Sequence, residues 1–192
     1  KYLCFVDADD YLSQEGLYRM INLAEQHQAD IVKYKITSLH RDAPHVYNSV
    51  AQTNTNIELI HGKSQALNRC DISDFHVVDA IFRTETIRNN GIYFHTDLHL
   101  HEDDCFMGEF YSVASCVVVT NLPLYNYFVG SYFSHTHNQT IERQRVLIQS
   151  GLLAIQHRKT FIAKHCPNQT FPYERLKYMK WVCSVRQAIA AQ

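Results

Sequence analysis

Near its start the chain reads Tyr2-Leu3-Cys4-Phe5-Val6-Asp7-Ala8-Asp9-Asp10, an apolar run that ends in three carboxylates. A short apolar run with β-branched and aromatic members indicates a buried strand. Strands of this kind are typical of parallel sheets, whose ligands bind at the carboxyl ends of the strands. The sequence therefore predicts a ligand site at the three aspartates, although a polar turn that leads into a helix would explain them as well.

The same three residues, Asp7, Asp9 and Asp10, indicate which kind of ligand the turn favours. Carboxylates this close together repel one another, and a hard divalent cation would neutralise the repulsion. Mg²⁺ typically takes one or two protein carboxylates and completes its coordination shell with phosphate oxygens and water. The turn therefore favours a divalent cation that also contacts a phosphate group.

The composition limits the class of protein. With 192 residues, of which 46% are hydrophobic, the chain can form one domain with a sizeable core, or a core with an appendage. Lys and Arg together number 18, and Asp and Glu 19, so no strong net charge favours nucleic acid as a partner. Six cysteines without a C-x-x-C pair favour reduced thiols in the cytoplasm over a disulfide scaffold.

Strand and helix patterns alternate as far as residue 137 and predict an α/β fold, a mixed sheet with flanking helices. From residue 138 to residue 192 the pattern is helical only, so we expect an α/β part at 1–137 and a helical appendage at 138–192. Because residue 1 already lies in a predicted core strand, we expect the C-terminal part of a larger enzyme. An interrupted sheet exposes an edge, so we also expect residues 1–192 to self-associate. Because the preceding part of the enzyme would be missing, we expect them to be inactive alone.

A second acidic cluster, Glu102-Asp103-Asp104, begins a predicted helix. The helix dipole favours anions in the first turn, and an ionised carboxylate there can take a proton from a hydroxyl group. The two clusters suggest one site in which Asp7 and Asp9 hold a metal and Asp103 moves a proton. The alternative is that the second cluster only complements the helix dipole.

Four motifs, in this order along the chain, resemble those of the family 2 glycosyltransferases with the GT-A fold. The motifs are Phe5-Val6-Asp7-Ala8-Asp9-Asp10-Tyr11, similar to the D-x-D segment; Ile81-Phe82-Arg83-Thr84-Glu85 with Asn90-Gly91-Ile92-Tyr93-Phe94; Glu102-Asp103-Asp104-Cys105-Phe106, similar to E-D-x-x-F; and Pro123-Leu124-Tyr125-Asn126-Tyr127. The resemblance spans residues 1–137 and implies a partial GT-A sheet.

The resemblance also implies an activity and roles for particular residues. The activity is the transfer of a sugar from a nucleotide diphosphate sugar to an acceptor hydroxyl, with inversion at the anomeric carbon and with Mg²⁺ or Mn²⁺ as the cofactor. Asp9 would bind the metal, and Asp7 would bind the metal and the donor sugar-nucleotide. Asp103 would be the catalytic base, with Glu102 as the reserve candidate, and Asp10 would be structural.

The chain departs from the family pattern in two places. The family's first half, which holds the nucleotide base and ribose, has no counterpart here, and the turn Ser134-His135-Thr136-His137 replaces a commoner hydrophobic and serine pair. His137 or His135 would complete the metal shell or touch the diphosphate. Four aromatic residues are candidates for contact with sugar rings, although side chains of this kind more often belong to the core: Tyr93, Phe94, Tyr132 and Phe133.

The implied partners are a nucleotide-sugar donor and a glycan or lipid-linked glycan acceptor, in surface polysaccharide synthesis. The implied location is the cytoplasm, at the inner face of the membrane, with peripheral membrane association. Two other interpretations stay open. A non-catalytic carbohydrate or protein interaction module would keep the fold without turnover, and a zinc-dependent hydrolase would use His95, His99, His101 and Asp103.

Overall fold

A computed structural model describes residues 1–40, 55–69, 76–129 and 141–168 of the chain. Its elements, in chain order, are the strands β1 (Tyr2–Cys4) and β2 (Tyr11–Leu12), helix α1 (Gln14–Gln26), strands β3 (Ile31–His40) and β4 (Ile57–His61), helix α2 (Lys63–Arg69), strand β5 (Ala80–Arg83), helices α3 (Thr84–Asn90) and α4 (Glu102–Val113), strand β6 (Cys116–Val129) and helix α5 (Ile141–His165). A 3₁₀ turn, Val77–Asp79, leads into β5.

The strands form one mixed sheet. Its order is β1-β5-β3-β6-β2, and β4 also pairs with β6. β3 and β6 run parallel, whereas the other pairs are antiparallel. The central strands are rich in Val and Ile, which suit a pleated surface that is covered by helices. The predicted fold class, a mixed α/β sheet with flanking helices, is confirmed.

The first strand differs from the prediction. β1 covers only Tyr2–Cys4 and pairs antiparallel with β5, so the prediction of a buried parallel strand at 2–6 is wrong. The side chain of Leu3 is 39% exposed, because successive residues of a strand point to opposite faces and only one face of β1 lies on the core. Tyr2 and Cys4 of the strand, and Phe5 just after it, pack against the core. A short apolar run does not distinguish these two arrangements.

The last strand is also longer than predicted. The sequence indicates separate strands at 115–120 and 124–129, but β6 is continuous from Cys116 to Val129. An irregularity in its register with β3 falls where Lys35 pairs with Pro123. Proline has no N–H group to donate to the ladder and is tolerated at such bulges. The proline therefore indicates a break in the sequence pattern although the strand continues through it.

Helix α4 is almost entirely enclosed. Every residue from Cys105 to Val113 is buried, and the helix packs against α2, α3 and α5. On the side of the sheet, the rings of Phe106 and Phe110 contact the ring of Phe82 at centroid distances of 5.3 and 5.0 Å. Only the first turn of this helix, which carries the second acidic cluster, is therefore open to a ligand.

Helix α5 joins the structure by packing on α4. Its buried face includes Ala154, Arg158 and Ile162, whereas Leu152 is 48% exposed. The division of the chain at residue 137 stays a prediction. None of the helices in the described ranges is long and apolar enough to cross a membrane.

Candidate active site

The acidic turn after β1 is held on β6 by Asp10. The Tyr125 hydroxyl donates to Oδ2 of Asp10 over 2.6 Å, and the Phe128 amide donates to Oδ1 over 2.8 Å. The Asp7 amide in turn donates to the Tyr125 hydroxyl oxygen over 3.1 Å. These hydrogen bonds occupy the carboxylate of Asp10, while Asp7 and Asp9 are exposed. The contacts agree with a structural role for Asp10.

Asp7 lies among like charges. Partial burial, and then the charges of Asp10 and Asp9, raise the pKa of Asp7 above its ordinary value. The ionised carboxylate is thus destabilised by its neighbours, and a divalent cation would relieve that repulsion. The exposed oxygens of Asp7 and Asp9 are hard ligands of the type that Mg²⁺ and Mn²⁺ prefer. The residues therefore fit the metal that the resemblance implies.

Asp103 lies in the first turn of α4, with its carboxyl largely withdrawn from water. Burial, followed by the charge of Glu102, raises the pKa of Asp103 to about 7, and the charges of Asp104 and Asp7 act in the same direction. A hydrogen bond from the Val77 backbone opposes the shift. A carboxyl with this pKa exchanges its proton near neutral pH, which is the property that a general base requires.

The two acidic clusters lie near one another, as the prediction of a single site requires. The charge of Asp7 is among those that raise the pKa of Asp103, so the two carboxyls are close enough to interact. Phenylalanine rings explain how they meet: Phe5, two residues before Asp7, and Phe106, three residues after Asp103, have centroids 5.6 Å apart. The apolar contact thus carries the acidic turn to the start of α4.

The other carboxylates of the second cluster have different surroundings. Oδ2 of Asp104 lies 2.7 Å from Nδ1 of His101, the residue that precedes α4, so Asp104 is engaged with the start of its own helix. Glu102 is half-buried, and its charge acts on Asp103. The assignments of Asp103 as base and Glu102 as reserve stay predictions, as do the roles of Asp7 and Asp9.

The structure does not place all of the residues that the sequence suggests as contacts of the metal, the diphosphate or the sugar rings at the acidic site. His137 and His135, with Tyr132 and Phe133, fall outside the described residues. The Phe94 ring stacks on the Phe106 ring at a centroid distance of 4.8 Å and so belongs to the phenylalanine cluster of the core. The Tyr93 side chain is 61% exposed and can still contact a sugar.

The histidine set that would serve a zinc hydrolase does not assemble in the described part of the chain. Two groups there have ligand atoms close enough for a metal, His95 with Asp97 and His157, and His95 with Cys105 and Glu109. Neither group includes His99, His101 or Asp103. The loop that carries these histidines thus directs them to different partners, and the zinc-hydrolase interpretation loses its basis.

Sequence reasoning missed the residues that hold the site together. Tyr125 lies in one of the quoted motifs, yet nothing in the motif indicates a hydrogen bond to Asp10, a residue 115 positions away. Val77 acts on Asp103 through its backbone, which no choice of side chain can reveal. Both contacts depend on how the strands and helices are arranged in space.

Comparisons with known proteins point to one kind of enzyme. The poly(ribitol-phosphate) beta-glucosyltransferase of Bacillus spizizenii is 28% identical to this chain over 130 residues, which are 67% of this chain and 19% of that protein. No protein-family model matches the chain.

Solved structures show the same fold. S. aureus TarS 1-349 in complex with UDP matches with a TM-score of 0.52 and 23% identity, over 91% of this chain and 48% of that chain. The complex with UDP-GlcNAc matches with a TM-score of 0.54 and 21% identity, over 85% of this chain and 47% of that chain. The chain spans less than half the length of these relatives. The predicted resemblance to glycosyltransferases is confirmed.

Proposed function

We propose that the chain is the acidic, acceptor-side part of an enzyme that transfers a sugar from a nucleotide diphosphate sugar to an acceptor hydroxyl. The relatives support this proposal: one is named for glucosyl transfer to poly(ribitol phosphate), and the TarS structures contain UDP or UDP-GlcNAc. On this basis the acceptor is a glycan or a lipid-linked glycan, and the pathway is surface polysaccharide synthesis. The four described cysteines are free, which supports a cytoplasmic location.

The observation that carries the proposal is the contact between the Phe5 and Phe106 rings, which brings the turn of Asp7 and Asp9 to the helix start that carries Asp103. An exposed pair of carboxylates, Asp7 and Asp9, offers oxygen ligands, and a half-buried carboxyl with a pKa of about 7 lies next to it. A sugar transferase needs both parts, one facing the diphosphate and the other facing the attacking hydroxyl. If Glu102, Asp103 and Asp104 only complemented the helix dipole, they would have no reason to lie near the acidic turn that carries Asp7 and Asp9.

Asp7 and Asp9 are the residues that would hold Mg²⁺ or Mn²⁺. When bound, the cation neutralises the charge that develops on the departing diphosphate. Asp10 does not join them, because the Tyr125 hydroxyl and the Phe128 amide already occupy its oxygens. The hydrogen bonds of Asp10 instead fix the turn, so that the two remaining carboxylates keep their orientation.

Asp103 acts as the base. As the acceptor oxygen forms its bond to the anomeric carbon, its proton passes to Asp103 and the bond from that carbon to the diphosphate oxygen breaks. Attack from the face opposite the leaving group inverts the configuration at the anomeric carbon. The Val77 backbone forms a hydrogen bond with the carboxyl, which is partly buried while the first turn of α4 stays open to the acceptor.

A transfer assay tests this function. Because the chain spans less than half of its relatives, the assay uses the longest natural protein that contains it, with Mn²⁺, a panel of UDP-sugars and poly(ribitol phosphate) or glycan acceptors. We expect release of UDP and a product of inverted configuration by NMR. Asp103→Asn should lower turnover by roughly 10²–10⁴-fold without changing donor affinity.

The matched control is Asp104→Asn, which changes the neighbouring carboxylate in the same helical turn and should affect turnover far less. Full turnover in Asp103→Asn would move the role of base to Glu102. Donor binding without any turnover in the wild-type protein would instead favour the non-catalytic module.

A further inference from the structure

Helix α5 and the loop that precedes α4 meet at two stacked histidines. The rings of His95 and His157 are 3.9 Å apart between centroids and inclined by 18°. Nε2 of His157 lies 2.9 Å from Oδ2 of Asp97, and Nε2 of His95 lies 2.8 Å from Oε1 of Glu109. Two imidazoles and two carboxylates from three separate segments thus converge at one place, apart from the acidic clusters.

We propose that His95, Asp97 and His157 bind one Zn²⁺ ion, which joins α5 to the loop before α4. The ligand atoms of these three residues all lie within 4.8 Å of one another. Ligands of a tetrahedral zinc ion, with bonds of about 2.0–2.2 Å, are separated by about 3.3–3.6 Å. To converge on one ion, at least one of the stacked imidazole rings must turn out of the stack, and the contact between Nε2 of His157 and Oδ2 of Asp97 must open to admit the ion.

The surroundings of His95 match those of a metal-bound histidine. The Glu109 side chain is only 2% exposed, and its carboxylate forms a hydrogen bond with Nε2 of His95. The other ring nitrogen then carries the lone pair, which is the form that binds a cation. Metal-ligating histidines usually have such a carboxylate behind them, because it fixes the ring and increases its basicity.

The outer side of the group leaves room for a fourth ligand. Asp97 is 53% exposed at the surface, so water can reach the ion. Two imidazole nitrogens with one carboxylate favour Zn²⁺ over Mg²⁺, which prefers oxygen ligands. The proposed ion is therefore distinct in kind from the cation of Asp7 and Asp9.

The proposed ion lies between helix α5 and the segment that precedes α4. His157 belongs to α5, whereas His95 and Asp97 precede the helix whose first turn carries Asp103. An ion shared between them fastens the C-terminal helix to the segment that leads into the catalytic turn. Zn²⁺ would stabilise this contact without taking part in sugar transfer.

Zinc affinity tests the proposal. The chain is purified without a histidine tag, treated with a chelator and titrated with Zn²⁺ against a chromogenic chelator in excess Mg²⁺. We expect one Zn²⁺ per chain, and Co²⁺ in place of Zn²⁺ should give the visible absorption of a tetrahedral complex. His157→Ala and Asp97→Ala should each weaken binding by at least about 10-fold, and Glu109→Gln by about 10–100-fold.

The matched control is His99→Ala, because His99 is an exposed histidine of the same loop outside the group. Its affinity should equal that of the wild type. Circular dichroism shows whether each variant is folded, and Asp97→Ala, which alters an exposed side chain, remains informative if His157→Ala does not fold. Unchanged affinity in Asp97→Ala, equal loss in His99→Ala, or no stoichiometric Zn²⁺ in the wild type would overturn the proposal.

Discussion

Asp103 is a carboxyl whose surroundings oppose its ionisation. Burial and the charge of Glu102 raise its pKa to about 7, while in an unfolded chain an aspartate titrates near 4. The folded protein therefore binds this proton more tightly than the unfolded chain does. A residue with this property reduces stability at neutral pH and is retained where its chemistry is needed.

The stability of the protein should depend on pH through Asp103. Its contribution is complete below the unfolded pKa and is lost as the pH rises through the folded pKa, that is, from about pH 4 to about pH 7. Asp103→Asn removes this loss and keeps an acceptor for the Val77 backbone. At about pH 8 the variant should be more stable than the wild type by on the order of 2 kcal/mol, discounted for partial exposure to water.

Urea unfolding at several pH values measures this gain, which should shrink as the pH falls towards 5. Glu85→Gln, an exposed carboxylate in the first turn of α3, is the control and should show no such gain. A variant less stable than the wild type at every pH would contradict the raised pKa of Asp103.

Substitutions of the adjacent residues Asp9 and Asp10 should have different effects on UDP binding and on stability. Asp9→Ala should abolish metal-dependent binding of UDP and leave the unfolding temperature unchanged, because Asp9 is exposed and the predicted link to the diphosphate is the cation. Asp10→Ala should weaken binding less but lower stability by about 1–3 kcal/mol, since the Tyr125 hydroxyl and the Phe128 amide lose their acceptor.

Calorimetry with Mn²⁺ and UDP, together with thermal unfolding, separates the two effects. The calorimetry uses the longest natural protein that contains the chain, because the chain spans less than half of its relatives. The reverse order of binding losses would move the metal from Asp9 to Asp10.

At the level of elements, α4 shows what a sequence pattern can predict. Three carboxylates followed by apolar residues at helical spacing predict a helix with an acidic first turn, and the structure has that helix. The pKa of Asp103 is raised first by burial and then by Glu102, with smaller contributions from Asp104 and Asp7, and it is lowered by the Val77 backbone. The burial and the contacts with Asp7 and Val77 involve segments that are far away in sequence. No spacing rule describes such contacts, so the residues alone offer proton transfer by Asp103 as one of two interpretations, and only the resemblance favours it.

The contact between α4 and α5 includes an arginine that the sequence pattern does not predict. Arg158 is almost fully buried, and its aliphatic stem lies against Gly108 of α4. A Cβ at position 108 would lie 2.5 Å from Cδ of Arg158. The helical pattern of α5 would favour an apolar residue at such a buried position, and only the facing glycine explains the space for the long side chain.

Gly108→Ala should therefore destabilise the protein. Alanine improves helix propensity by about 1 kcal/mol, but overpacking against the enclosed Arg158 stem costs about 1–3 kcal/mol. The net loss should be about 1 kcal/mol in urea unfolding. In an Arg158→Ala background the same change should be neutral or stabilising, and an equal loss in both backgrounds would mean that Arg158 does not limit the space.

Across the whole molecule, the strands were predictable but their order was not. The apolar runs indicate most of the strands, whereas the pairing of β1 with β5 and of β4 with β6 depends on contacts between distant segments. The wrong prediction for β1 also affects how the acidic turn is positioned. The acidic turn follows an antiparallel strand at the end of the sheet, and it is positioned by Phe5 together with the hydrogen bonds between Asp10 and β6.

The position of β1 predicts self-association. In the described ranges β1 pairs on one side only, and Leu3 on the strand and Val6 after it are exposed. A strand with an unpaired edge and apolar side chains is a site where a second copy can add its own strand. Residues 1–192 should therefore show a mass by light scattering that rises with protein concentration.

Leu3→Lys should reduce this association, because a lysine at an edge strand blocks further pairing while its exposed position spares the core. Leu152→Lys is the matched control: it places the same charge on an exposed leucine of α5 and should leave the association unchanged. If association persists in Leu3→Lys and disappears in Leu152→Lys, the contact lies on α5 and not on β1. A wild-type chain that stays monomeric at all concentrations would mean that the β1 edge is protected in solution.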